Sequence, residues 1–242
     1  MERSKGVDQI NHSVTAVGIR CDKTKMVYNF RKIESLKNIS QVACGLRHVV
    51  CVDRDGHVFS WGAGTRGQLG VGKVKRHVSP ISVSAVTCRA TDVFCGQYFT
   101  LVKLASGEIV GFGDNKYQQL RKDENISQFT EPTVIENASS DDQISCGWTH
   151  VVINRGGHVS VRGRNNYFQH GTCTRVRAAV AGSEHCTCLT DTSQLVTWGW
   201  NEHGNCGLGL DQDCIESPAT MSLANVTNVF VGSAHCFAIN EE

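Results

Sequence analysis

The sequence has little proline, no excess of either charge and no long apolar stretch. Its 242 residues include three prolines against 24 glycines, and 24 Lys and Arg residues against 23 Asp and Glu residues. This charge balance argues against a protein that binds nucleic acid through its phosphates, because such binding needs an excess of basic residues. No run of about 18 apolar residues occurs, so no membrane-spanning helix is predicted. The glycine-rich composition instead indicates a folded chain with many turns.

The sequence also lacks the motifs of common enzymes and metal sites. There is no Gly-x-Ser-x-Gly nucleophile motif, and no Cys-x-x-Cys pair has zinc-ribbon spacing. Residues 67–73 resemble a phosphate-binding loop, but Val74 stands where that loop needs Ser or Thr for Mg²⁺. We therefore expect no covalent catalysis, no bound nucleotide, no metal and no cofactor.

The first residues carry no apolar leader. Residues 1–13 are charged and polar, so we expect no secretory signal and a location in the cytoplasm or also the nucleus. The twelve cysteines are then expected to be reduced.

A unit of about fifty residues recurs along the chain. It opens with a glycine, followed three residues later by a position that is usually histidine, and the spacings between the opening glycines are 51, 51, 35 and 50 residues. An Asp-Gly, Ser-Gly or Gly-Gly turn then leads into a strand that often ends in Trp-Gly, and a glycine-rich loop follows. The opening glycines are Gly45, Gly96, Gly147, Gly182 and Gly232.

Short apolar runs bounded by such turns are typical of β-hairpins. A four-stranded sheet repeated at this period cannot bury both faces alone, whereas radial stacking of the sheets does so. The sequence therefore predicts an all-β protein, a β-propeller. We assign residues 39–242 to the propeller repeats, with one repeat shortened near 171–176, and residues 1–38 to an N-terminal segment able to supply part of a blade.

The repeat motifs carry a family resemblance. The segments Cys44-Gly45-Leu46-Arg47-His48, Asp55-Gly56-His57-Val58-Phe59-Ser60-Trp61-Gly62 and Gly67-Gln68-Leu69-Gly70 resemble the repeat of the regulator of chromosome condensation family. The resemblance covers about residues 39–240 and implies a seven-bladed propeller. Seven blades at this period need roughly 350 residues. The chain supplies four repeats and a partial one, so we expect the N-terminal pair of blades to be missing; a smaller closed ring is the alternative.

The segment Trp198-Gly199-Trp200-Asn201-Glu202-His203-Gly204 gives a narrower resemblance, to the secretion-regulating guanine nucleotide exchange factors of this family. This implies a non-catalytic protein that binds a small GTPase and favours its nucleotide-free form. The fungal relative implies an alternative: an adaptor without exchange activity that partners a small metal-binding protein in diphthamide synthesis or tRNA wobble-uridine modification. A third interpretation is a regulatory or non-functional isoform in which truncation destroys the fold. We expect no nucleic-acid or membrane partner.

The loops after the Trp-Gly strands are the predicted partner-binding site, because rigid propellers place function on their loops. Trp200 is the strongest candidate, since its repeat equivalents Ala63, Asp114 and Arg164 are not core residues. The alternative is that Trp200 merely covers the propeller end. The predicted site residues are Arg66, Asp114, Asn115, Arg164, Trp200, Asn201, Glu202 and His203.

The recurring histidines and cysteines are interpreted as packing residues. His48, His150, His185 and His235 share one repeat position with Phe99, so we expect each imidazole to pack and to bond a neighbouring backbone group. Three cysteines that precede opening glycines are expected to be small buried residues. They are Cys44, Cys95 and Cys146.

An incomplete propeller would expose strand edges at its terminal blades. We therefore expect some self-association, unless residues 10–33 fold in to complete a blade.

Overall fold

The computed structural model describes residues 15–16, 31–122 and 126–241, and all nineteen regular elements in these ranges are β-strands. The predicted all-β fold is confirmed. No helix in the described ranges is long and apolar enough to span a membrane. Most of the 10–33 segment, which was expected to supply strands, lies outside the described residues; within it β1 (Thr15–Ala16) pairs with β2 (Arg31–Lys32).

The remaining strands form five successive antiparallel sheets, which we call blades 1 to 5. Within each blade, consecutive strands pair in chain order. Blade 1 comprises β3 (Ile39–Cys44), β4 (His48–Asp53), β5 (Val58–Ala63) and β6 (Arg76–Ser82); blade 2 comprises β7 (Ala90–Cys95), β8 (Phe99–Leu104), β9 (Glu108–Asp114) and β10 (Gln128–Asn137). Blade 3 comprises β11 (Gln143–Cys146), β12 (His150–Arg155) and β13 (His158–Gly163); blade 4 comprises β14 (Val176–Ala181), β15 (His185–Thr190), β16 (Leu195–Trp200) and β17 (Cys214–Thr220). Blade 5 comprises β18 (Val226–Val231) and β19 (Cys236–Asn240).

The core lies between the blades. Each of four apolar clusters joins one blade to the next, as where Val152 of blade 3 and Trp198 of blade 4 share one cluster. Apolar side chains on both faces of a sheet are buried in this way, which is the radial stacking predicted from the repeat. The sheets therefore stack as blades of a propeller.

A chain of backbone hydrogen bonds fixes the blades around the axis. The residue after each opening glycine donates its N–H to the carbonyl of its equivalent in the next blade. The N···O distances from Leu46 to Gln97, Gln97 to Trp148, Trp148 to Ser183 and Ser183 to Ser233 are 3.2, 2.9, 2.8 and 2.9 Å. These bonds place the five inner blade ends in one continuous arc.

The arc surrounds a channel of about 270 Å³. Cys44, Cys95 and Cys146 line it. The expectation that they are small buried residues is wrong for Cys44, which is exposed at an inner strand end, whereas Cys95 and Cys146 are half-buried and pack against the apolar clusters between blades. Burial raises the pKa of the Cys146 thiol to about 12, so this thiol is protonated at neutral pH.

The position shared by the histidines and Phe99, which we call the slot, lies at the junction between blades. His48 Nε2 is 3.0 Å from Thr100 Oγ1 of blade 2. Because Thr100 donates its hydroxyl to the Gln68 carbonyl, Nε2–H of His48 must be the donor. The packing role is confirmed for three of the histidines, and in each of them Nε2 faces a side chain of the next blade. The other two pairs are His150 with Cys186 and His185 with Cys236.

Blade 3 is the shortened repeat. Beyond β13, a single bridge between Val159 and Cys173 takes the place of the fourth strand that blades 1, 2 and 4 have. Arg162 occupies the repeat position of Trp198 and pairs with Glu136 of blade 2 at 2.6 Å. A charged pair thus replaces an aromatic core residue at this junction.

Candidate partner-binding face

The four loops that follow β5, β9, β13 and β16 leave their strands by the same turn. The last strand glycine has a positive φ in each blade, for example +105° at Gly199. A Cβ at Gly199 would lie 2.8 Å from the Glu184 carbonyl oxygen and from His185 Cα, so only glycine fits there. The chain therefore turns outward at the same height in blades 1 to 4, and the four loops share one rim, which we call the loop rim.

Two of the predicted site residues shape these loops from inside. The side-chain amide of Asn115 donates to the carbonyls of Arg121 and Ile126 at 2.9 and 2.8 Å. The amide of Asn201 donates to the Gln212 carbonyl at 2.8 Å. Both asparagines are buried, so the structure places them as loop supports beneath the surface that a partner would meet.

Arg66 and Asp114 meet across the junction of blades 1 and 2. Arg66 Nη1 lies 3.1 Å from Asp114 Oδ1, and the guanidinium sits 5.7 Å from the Tyr98 ring centroid. Asp114 is buried and also accepts a 3.0 Å bond from Gln119 Nε2. About half of the Arg66 side chain stays exposed, at 51%. The buried carboxylate thus holds the arginine in place on the rim.

Arg164 of blade 3 is likewise held by aromatic rings and a carboxylate from its own and the neighbouring blades. Its guanidinium lies 5.4 Å from the Tyr117 centroid and 5.2 Å from the Tyr167 centroid. Its Nη1 is 3.6 Å from Oε1 of Glu184, a residue of blade 4. Stacking between two rings and a nearby carboxylate restrict a side chain that is otherwise flexible.

Glu184 is a functional candidate that sequence reasoning missed. The Thr149 hydroxyl donates to it at 3.0 Å and the Gln169 amide at 2.6 Å. Burial raises the pKa of Glu184, while these two donors and Arg164 oppose the rise. The available signal was its position just before the slot, where other repeats carry Tyr98 or Thr149.

Trp200 is half-buried beside Tyr167, with 6.3 Å between ring centroids. Its Nε1–H donates to Glu202 at 3.1 Å, and the His203 ring meets it edge-on at 5.2 Å. Glu202 and His203 are exposed. The structure thus groups these three predicted residues on the rim of blade 4.

A cleft of about 260 Å³ opens among these side chains. Trp148 is 42% exposed beside it, and Leu46 is 48% exposed nearer the axis. Neither residue was predicted, although both directly follow an opening glycine, a position the repeat brings to the inner end of each blade. The residues that line the cleft are Gln97, Tyr117, Trp148, Thr149, Arg164, Tyr167, Ser183, Glu184 and Trp200.

One group of potential metal ligands occurs among the described residues, and it lies on the opposite rim. Asp53, Asp55 and His57 surround a turn between β4 and β5. Asp53 Oδ1 accepts the backbone N–H groups of Asp55 and His57 at 3.0 and 2.8 Å, so the carboxylate is used to form the turn. Among the described residues, the loop rim holds no such group of potential metal ligands.

Two models of the regulator of chromosome condensation (RCC1) repeat match the chain. One matches residues 55–102 and 194–239, and the other matches 39–68 and 90–119. The protein belongs to the RCC1 repeat family. The matched segments include the opening glycines and slots of blades 1, 2 and 5, and the strands before the loops of blades 1, 2 and 4.

Similar proteins share the fold over most of this chain. The ultraviolet-B receptor UVR8 of Arabidopsis thaliana is 27% identical over 225 residues, covering 84% of this chain and 51% of UVR8. The crystal structure of human WBSCR16 superposes with a TM-score of 0.79 at 23% identity, covering 93% of this chain and 64% of that one. Prp20p of Saccharomyces cerevisiae, whose binding to Gsp1p and histones has been studied, has a TM-score of 0.77 at 20% identity, covering 93% and 63%. The chain thus spans about half to two thirds of these relatives and has the RCC1-type propeller fold of the two superposed structures.

Proposed function

We propose that this protein is a non-catalytic interaction propeller that regulates a small GTPase, with the loop rim as its binding face. The observation that carries the proposal is the concentration of Trp, Tyr and Arg side chains on one rim of a rigid arc. These residue types dominate the energetic centres of protein interfaces. Support also comes from Prp20p, a protein of the same fold that binds Gsp1p.

Exchange activity of this kind needs no covalent chemistry. A surface that binds the nucleotide-free GTPase more tightly than the loaded form shifts the population toward release. On this proposal Trp200, Arg66 and Arg164 contact the GTPase. The buried carboxylates of Asp114 and Glu184 fix the positions of the two arginines before the partner binds. We place the complex in the cytoplasm or nucleus, in the control of secretion.

The test is nucleotide release from a panel of purified small GTPases loaded with a fluorescent guanine nucleotide. Acceleration by the wild-type protein, and its loss in Trp200→Ala, would support the proposal. No acceleration at micromolar protein for any GTPase would refute the exchange activity. In that case, recovery of a small metal-binding protein by the wild type and not by Trp200→Ala would assign the rim to an adaptor in diphthamide synthesis or tRNA modification.

A further inference from the structure

The loop rim is segregated by charge. The loops of blades 1 and 3 contain basic residues and no Asp or Glu, while the loop of blade 4 contains acidic residues and no Lys or Arg. The basic residues are Arg66, Lys73 and Lys75 in residues 64–75 and Arg164 in 164–174; the acidic residues are Glu202, Asp211 and Asp213 in 201–213. A partner therefore meets opposite charges on the two sides of the rim.

Two carboxylates near the basic side are turned inward, while Glu131 of β10 is exposed beside the loop of blade 1. Asp114 and Glu184 are both buried and accept several hydrogen bonds each, so they offer little to a partner. Arg47 is exposed, and among the described residues its guanidinium has no partner. Lys116 is exposed, with Nζ 5.4 Å from the Tyr117 ring centroid. Among the described residues, exposed basic side chains on the rim of blades 1 to 3 therefore outnumber exposed carboxylates.

Apolar surface lies in the middle of this positive region. Leu46 and Trp148 follow opening glycines of blades 1 and 3, and their backbones are linked through Gln97. Both are nearly half exposed, and the cleft beside Trp148 has room for one side chain. An anchor residue flanked by carboxylates would match this arrangement in both polarity and charge.

We propose that the rim of blades 1 to 3 binds an acidic, extended segment of the partner protein that carries one aromatic anchor. The anchor enters the cleft between Trp148 and Trp200, and the flanking carboxylates pair with Arg47, Arg66 and Lys116. The acidic loop of blade 4 repels the same segment and so sets its position. The inference rests on the proposed function for the use of this rim, and it adds the chemistry of the partner.

The first test uses a fluorescent synthetic peptide of Glu and Asp residues with one central Phe, and measures its binding by anisotropy. The matched probe has Lys in place of every acid. We expect the acidic peptide to bind, to weaken as salt rises, and to weaken when its Phe is replaced by Ala. Failure of the acidic peptide to bind at low salt, or equal binding of the lysine peptide, would overturn the inference.

The second test locates the contact with charge reversals. Arg47→Glu/Lys116→Glu should weaken binding about tenfold. This corresponds to a loss of roughly 1.4 kcal/mol of binding free energy, divided between the two reversed charges. The control is Lys37→Glu/Arg54→Glu, which changes the net charge equally but lies at the opposite ends of the strands, and it should change affinity less than about twofold. Equal weakening by both variants would show non-specific attraction and overturn the site.

These outcomes separate the inference from the proposed function. If the acidic peptide fails while Trp200→Ala still abolishes nucleotide release, the partner chemistry is wrong and the function stands. If the peptide binds as expected while no GTPase responds, the acidic site stands and the exchange activity is refuted. Thermal unfolding of each variant shows that the arc remains folded.

Discussion

The slot residue and its partner match chemically at each junction between blades. Where the slot is histidine, the next blade offers a hydroxyl or a thiol, as in His48 with Thr100. Where the slot is Phe99, the equivalent residue of the next blade is Val151, and both lie in one apolar cluster. An imidazole N–H buried without an acceptor would be costly, so each slot is compatible with its own neighbour.

Thr100→Val should therefore destabilise the protein in a way that depends on His48. We expect a loss of about 1–3 kcal/mol in the free energy of unfolding, because His48 Nε2–H and the Gln68 carbonyl both lose a partner. In a His48→Phe background the same change should cost less, since Phe needs no acceptor. Denaturant unfolding of the four proteins in this cycle measures the difference, and equal costs in both backgrounds would disprove the pairing.

Burial of the slot histidines also predicts a pH dependence. Burial lowers the pKa of His48 and His185 to about 4 and that of His150 to about 3, from 6.5. The unfolded chain then binds more protons below pH 6.5, so stability is full above that pH and falls as the pH drops toward 4.

Each histidine contributes a slope of about 1.4 kcal/mol per pH unit in this window. His150→Phe places at this slot the residue that blade 2 has naturally, Phe99. It should reduce the slope of unfolding free energy against pH by about 1.4 kcal/mol per pH unit, the contribution of one proton. Denaturant unfolding of both proteins across the window measures it, with the exposed-residue variant His203→Ala as control. Identical slopes for His150→Phe and wild type would contradict the burial of a neutral imidazole.

Sequence alone predicts that the slot packs, because Phe99 shares it with the histidines. It does not predict the bonded partner, which lies 52 residues from His48 and 36 residues from His150. Such pairs depend on which blades are neighbours, and that is known only once the sheets are stacked.

At the scale of the element, the turn out of the Trp-Gly strand controls the position of the loop rim. The strands and turns themselves follow from the sequence, since short apolar runs alternate with Asp-Gly, Ser-Gly or Gly-Gly turns. Asn115 and Asn201 show the limit of that reasoning. Polar residues in a loop are expected to be exposed, yet the side-chain amides of these two asparagines donate hydrogen bonds to backbone carbonyls of their own loops.

Gly199→Ala should be strongly destabilising because its Cβ would meet backbone atoms 2.8 Å away and its φ is +105°. Gly204→Ala is the matched control: its φ is +72°, but nothing lies within 4 Å of a Cβ there. We expect the control to lose about 1 kcal/mol from backbone strain and Gly199→Ala to lose at least about 2 kcal/mol more. Similar midpoints of thermal unfolding for the two variants would contradict a constrained turn.

At the scale of the whole molecule, the described arc ends in an open apolar face. Phe230, Phe237 and Ile239 of blade 5 are 55%, 61% and 53% exposed, whereas Leu101, the repeat equivalent of Phe237, is fully buried under blade 3. The backbone bonds between blades continue to Ser233, the last acceptor of the series among the described residues. The repeat count predicts this incomplete arc, while the exposed side chains are visible only in the structure.

This face supports the expectation of self-association. The sedimentation coefficient of the wild type should rise with concentration, and Phe230→Ser/Phe237→Ser should reduce the rise because it removes apolar surface. Val78→Ser/Val134→Ser, at exposed positions on outer strands, is the control and should behave as the wild type does. A wild type that sediments as a monomer at all concentrations would contradict the prediction.

The central claim is that the loop rim binds the partner, and quantitative affinity capture from cell extract tests it most directly. The comparison is between the wild type, Trp148→Ala/Trp200→Ala on the rim, and Val78→Ala/Val134→Ala on the outer strands, all shown to be folded. We expect the same partner to be recovered by the wild type and the outer-strand variant and to be lost from the rim variant. Full recovery by the rim variant, with loss from the outer-strand variant, would contradict it.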